Sequence, residues 1–187
     1  MATTQSASAT LQVSYDVHDA WTQAYVGVRH LIYELLPPPG RKLSIEHQAM
    51  CQLALVGANH LMEVGLYRYL ESRPKHATLT DRKKTEVRKA TYADMLQIWI
   101  LELAGWPPAL DSPPYQCTER LRRRRNDTVH KTSASANVPM CRSAIFSAVE
   151  GTSTLWQRSG EPFPYKEFLE KYPIPVERLF SEVTFAR

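Results

Sequence analysis

The chain has 187 residues, of which 43% are hydrophobic and 22% charged, with a formal net charge of +4 and a pI near 9.0. That length supports one well-buried core and is short for two ordinary domains, and seven glycines are too few for the regular turn punctuation of a β-sandwich or barrel. The thirteen prolines fall mostly in clusters, at 37–39, 107–108, 113–114 and 162–175, so they separate long uninterrupted segments and imply helices joined by proline-rich connections.

The opening stretch, MATTQSASAT, carries neither the basic region nor the apolar run of a secretory signal. Residues 1–13 read as a disordered lead-in to a helical domain over 14–160. A first helix is expected over 15–36, where Trp21, Tyr25, Val28, Ile32 and Leu35 recur at steps of three and four; the run Pro37-Pro38-Pro39-Gly40 ends it. A second runs from Ser44, a plausible N-cap, to Glu71. Between residues 49 and 70 it is apolar nearly all round, which marks a helix central to the fold or covered by a partner chain. Its few polar residues, Gln52, Asn59, His60 and Glu63, need a reason to be there, and Asn59 and Glu63 are spaced to share a face.

DRKKTEVRKA, residues 81–90, reads as a basic connector. A third helix follows over 91–104, opened by Thr91-x-x-Asp94, a capping box with Asp in place of Glu, and carrying Tyr92, Met95, Leu96, Trp99 and Leu103 inward. A fourth is expected to start at Asp111-Ser112-Pro113, an N-cap followed by proline at the first helical position, and to carry the arginine cluster. Residues 131–138, rich in Ser, Thr and Ala, read as a mobile loop. A fifth helix spans about 139–158, with Ile145, Phe146, Val149 and Trp156 as core candidates. The proline- and aromatic-rich extension over 161–187 is expected to pack on the bundle in short helical turns, with partner binding as the alternative. The fold class is therefore all-α, an up-and-down bundle of about five helices.

Cys51, Cys117 and Cys141 are odd in number and lack a C-x-x-C, so they read as reduced thiols of a cytoplasmic protein. His18, His30, His47, His60 and His76 show no metal-ligand spacing, no cofactor fingerprint is present, and no stretch has the length of a membrane span. The expectation is no metal, no cofactor and no membrane.

The charge is uneven. Residues 120–131 hold six basic side chains against one Asp, and residues 82–89 hold five against one Glu. Local excess of this kind suits a polyanion such as RNA or DNA; a solvated helix face is the ordinary alternative. Within the first run stands Arg125-Asn126-Asp127-Thr128-Val129-His130. An imidazole moves protons near neutral pH, and a guanidinium holds a phosphate and the extra charge of its transition state. Together they suffice to attack a phosphodiester when the adjacent 2′-OH of RNA is the nucleophile. On a continuous helix a step of five residues turns by roughly 140°, so the two converge only if the helix loosens or the arginine wraps round. Without chemistry, His130 is a surface histidine favoured by the helix dipole.

The stretch RNDTVH resembles the R-x4-6-H motif of the HEPN superfamily of ribonucleases, in its form with a polar residue after the arginine. The likeness covers residues 15–158 in architecture and six residues in motif. It implies Arg125 and His130 as the catalytic pair, Asn126 and Asp127 as polar support, and Glu63 and Asn59 facing the motif from the central helix. Arg122, Arg123, Arg124 and Lys131 are expected to contact the RNA backbone. Thr132 stands where members silenced by nucleotidylation carry a tyrosine, a departure from that mode of control. The resulting expectation is a metal-independent endoribonuclease that leaves 2′,3′-cyclic phosphate and 5′-OH ends, a toxin or antiphage defence effector held by an antitoxin or another regulatory partner. A homodimer is expected because one pair offers a single arginine to a dianionic transition state, and because the second helix is so apolar. The alternative is a non-catalytic helical module that binds nucleic acid or a partner protein.

Overall fold

The computed structural model describes residues 19–130 and 136–175; the lead-in, Lys131, Thr132 and residues 176–187 lie outside them. Among the described residues every regular element is helical. Helix α1 is Ala20–His30, extended by a π-helical turn Leu31–Leu35. Next come α2, Ile45–Glu71, the short α3, Pro74–Ala77, and α4, Asp81–Lys89. A continuous helical stretch then comprises α5, Tyr92–Asp94, a π turn Met95–Trp99 and α6, Ile100–Ala104. Helices α7, Tyr115–His130, α8, Val138–Arg158, and α9, Lys166–Lys171, complete the order. Among the described residues no helix is long and apolar enough to cross a membrane.

Side chains start these helices where the first backbone amides lack partners. Asp19 Oδ1 accepts from Thr22 N at 2.9 Å, Ser44 Oγ from His47 N at 3.3 Å, and Asn137 Oδ1 from Met140 N at 2.9 Å. Thr91 and Asp94 form the full capping box. Gly105 closes α6 at φ 78°, a left-handed C-cap that strains any side chain-bearing residue.

Helix α2 lies at the centre, against α1, α7 and α8. Most of its apolar residues are thus covered within a single chain: Cys51, Ala54, Leu55, Ala58, Leu61, Met62, Leu66, Tyr69 and Leu70 are buried, while Ile45 and Leu53 are exposed. Glycines set two of the crossings. A Cβ on Gly65 would come within 2.2 Å of Thr152 Cγ2 of α8, and one on Gly151 within 2.5 Å of Thr118 Cγ2 of α7, so these backbones approach at distances only glycine permits.

The segment after α8 folds back over α1. Tyr165 stacks on Trp21 at 4.1 Å between centroids, and Phe163 meets Trp156 edge-on at 5.5 Å. Tyr25 Oη donates to Tyr172 O at 2.5 Å, and Arg29 Nε to Pro173 O at 2.9 Å. Buried Arg73 stacks on Tyr69 at 4.3 Å and forms a paired contact with Glu161.

Three local expectations change. The basic run 81–90 is a helix, not a connector: Thr80 caps it, Arg82 bonds Glu86 at 3.1 Å, and its Lys, Arg and Glu residues are good helix formers. Helix α7 begins at Tyr115, with Asp111 and Ser112 left in the preceding turn. Pro114 pushes Pro113 out of the helical region, which moves the start past both prolines. Leu35, expected inside, is 48% exposed, while Leu36 is buried, because the wider π turn shifts the apolar register.

Candidate nucleic-acid interface

On α2, His60, Glu63, Val64, Tyr67, Arg68 and Glu71 recur at steps of three and four, so they form one stripe on a helix otherwise packed in apolar contacts. On α7, Arg122, Arg125 and Asn126 follow the same rule. The two stripes face a common groove of about 880 Å³, closed on a third side by Arg88 at the end of α4 and by the turn into α5, including Thr91 and Tyr92. The N-cap of α1, Asp19, stands at one end.

The groove carries four arginines, and their partners divide them. Arg68 bonds Glu71 at 3.0 Å and reaches Asp19 at 3.5 Å. Arg122 donates twice to Glu119, through Nε and Nη2, at 2.8 Å each. The Arg122 hydrogen bonds, aided by Arg123, outweigh partial burial and hold the Glu119 carboxyl below its usual range. Arg125 donates through Nη1 to Asn126 Oδ1 at 3.0 Å, and its Nε is shut from solvent with no acceptor among the described residues. No carboxylate pairs with Arg125 or Arg88 among the described residues.

The carboxylates on the groove are in turn occupied. Glu63 accepts from Asn59 Nδ2 at 2.8 Å, and Asn59 is 1% exposed. Burial alone would raise the Asp19 carboxyl, but hydrogen bonds from the Tyr165 hydroxyl and from Thr22, with the Arg68 charge, lower it. Burial, helped by the nearby Glu71 charge, raises the Tyr67 hydroxyl. Tyr92 is locked in the wall, its Oη donating to Thr118 Oγ1 at 2.7 Å.

The structure therefore brings Arg122, Arg125, Asn126 and Glu63 together, with Asn59 behind Glu63. It leaves His130 elsewhere. α7 is unbroken to His130, which is exposed and outside the groove lining. It shares a face with Asn126, one turn or roughly 6 Å farther along the axis. Arg123 is exposed and held to Glu119 at 3.0 Å, Arg124 is exposed, and Asp127 is half-buried outside the lining. Lys131 lies outside the described residues.

His60, Tyr67 and Arg88 line the groove without having been singled out as site residues from sequence. The spacing of His60, Glu63, Tyr67 and Glu71 carried that signal for α2: a polar stripe on an apolar helix has a functional face. Among the described residues, no three His, Cys, Asp or Glu side chains group closely enough to hold a metal ion. No family model, curated protein or solved structure matches the chain.

Proposed function

We propose that the protein is a metal-independent endoribonuclease of the HEPN type. The observation that carries this reading is Arg125: it lines a polar groove shared with Asn126 and Glu63 and forms no ion pair among the described residues. A guanidinium so placed is available to a phosphate and to the charge that grows on it in the transition state. In this reading α1, α2, the α5–α6 stretch, α7 and α8 are the five helices of an up-and-down bundle.

His130 supplies the proton transfer, as base toward the 2′-OH or as acid toward the leaving 5′-oxygen. The attacking oxygen forms a bond to phosphorus as the bond to the 5′-oxygen breaks, which leaves a 2′,3′-cyclic phosphate and a 5′-OH. Because His130 lies outside the groove lined by its own Arg125, a second copy packed near a two-fold axis completes the site, with His130 of each chain approaching Arg125 of the other. A cytoplasmic toxin or antiphage effector restrained by an antitoxin or other regulatory partner fits such an activity.

The test is incubation of the purified protein with labelled RNA in EDTA, beside His130→Ala and an RNA bearing one 2′-deoxy substitution at the cleaved position. Cleavage is expected for the wild type alone and only on the unmodified RNA. Full activity in folded His130→Ala, or cleavage of the 2′-deoxy RNA, would overturn the mechanism. The exposed place of His130 favours one other reading, a non-catalytic module that binds nucleic acid or a partner protein and leaves the histidine unused; that module would bind RNA and never cut it.

A further inference from the structure

The groove reaches well beyond Arg125, and it is also lined by residues the cleavage mechanism does not use. Arg88, the penultimate residue of α4, lines it together with residues of α2 and α7. Among the described residues Arg88 has no carboxylate partner, whereas Arg82 bonds Glu86 at 3.1 Å and Lys83 bonds Glu102 at 2.8 Å. Of the acidic side chains on the groove, Asp19 and Glu71 share Arg68, and Glu63, which keeps its charge, is tied to the neutral Asn59 amide. Of the four groove arginines, Arg88 and Arg125 are thus the two without a carboxylate partner among the described residues, and they come from different helices. α2 contributes the partly exposed ring of Tyr67 to the same groove, within range of the Arg88 charge.

We propose that this groove is a single-stranded RNA subsite, in which Arg88 and Arg125 hold phosphates and Tyr67 stacks a base. The proposal rests on the RNA reading above and gives the strand its course, from α7 across α2 to the α4–α5 corner. Two guanidiniums from different helices, sharing a groove with an aromatic face, match the alternation of phosphate and base along a single strand. An acidic peptide has no need of the ring. The volume, about 880 Å³, is of the size of a small-ligand site and leaves room for splayed nucleotides.

The experiment is fluorescence anisotropy with a labelled, uncleavable 2′-O-methyl oligouridine in EDTA, across a salt series. Arg88→Ala, at an exposed position that should not disturb folding, is expected to weaken binding about five- to tenfold. It should also lower the slope of log affinity against log salt by about 0.7, the value for one phosphate contact on a single strand. Tyr67→Leu should weaken binding several-fold with the slope unchanged. Arg82→Ala removes the same charge from the same helix outside this groove and should bind as the wild type does. Equal losses in Arg82→Ala and Arg88→Ala would mean diffuse attraction and end the proposal, as would equal competition by polyglutamate. Arg88-dependent binding without any cleavage keeps the subsite and discards the nuclease; cleavage with unaltered binding in Arg88→Ala does the reverse.

Discussion

Arg125 and His130 lie five residues apart on one unbroken helix, and only Arg125 lines the groove between α2 and α7. With roughly 140° between them, the two side chains leave the helix in different directions. Their division suggests a site shared between two copies, which can be tested by complementation.

Arg125→Ala and His130→Ala should each lower cleavage a hundredfold or more, about 3 kcal/mol of transition-state stabilisation, with unchanged circular dichroism. Mixing the two inactive proteins under conditions that exchange subunits should restore activity. Each mixed dimer then holds one site with both wild-type groups, so recovery should approach about half per mixed dimer. Mixed dimers that remain inactive would put both groups in the same chain.

Glu63 and Asn59 offer a second test. Asn59 is buried and donates to Glu63 at 2.8 Å. Glu63→Gln keeps an oxygen to accept that bond, so the melting temperature should stay within a few degrees, while loss of a negative charge from a phosphate-binding groove should tighten RNA binding. Asn59→Ala removes the donor and should cost about 1–3 kcal/mol. Denaturant unfolding and anisotropy measure the two effects separately, and weaker RNA binding by Glu63→Gln would refute the charge argument.

Much of this arrangement was legible from local chemistry. Ser44, the Thr91–Asp94 box and the apolar steps of Trp21, Tyr25, Val28 and Ile32 define their helices through interactions a few residues long. Helix α4 was not legible, because only Val87 is buried and an amphipathic stripe is the feature that periodicity detects. The groove was half legible. Arg125, Asn126 and Glu63 stand out in the chain, but Arg88 and Tyr67 acquire meaning only when α4 and α2 are brought beside α7, and that is a tertiary event. The argument for a dimer from the apolar α2 keeps only a small basis, since α1, α7 and α8 cover most of the helix within one chain and leave Ile45 and Leu53 exposed. The position of His130 now carries the dimer proposal instead.

The crossing of α2 and α8 should be intolerant of a single methyl group. Gly65→Ala sets a Cβ within 2.2 Å of Thr152 Cγ2, and overpacking of this kind costs about 1–3 kcal/mol. Thr152→Ser removes that methyl, so the double variant Gly65→Ala/Thr152→Ser should be more stable than the sum of the single changes predicts. Strict additivity in urea unfolding would show that the helices part to accommodate the methyl.

The latch between Arg73 and Glu161 should make stability fall in acid. The hydrogen bonds from Arg73 hold the Glu161 carboxyl below its ordinary value, and Arg73 itself is 6% exposed against Tyr69. A carboxyl whose folded pKa is depressed stabilises the fold above its unfolded pKa, about 4.3 for Glu, and loses that contribution as pH falls through the folded value. Glu119, held down by Arg122, adds in the same direction. Stability should therefore be level near neutrality and decline below about pH 4.5. Glu161→Gln should reduce stability at pH 7, because Arg73 then remains buried without its counter-charge, and should flatten the acid decline. Thermal melts of both proteins between pH 3 and pH 7 test this: parallel curves would mean that Arg73 finds its compensation elsewhere, in the Tyr69 ring and carbonyl it already contacts.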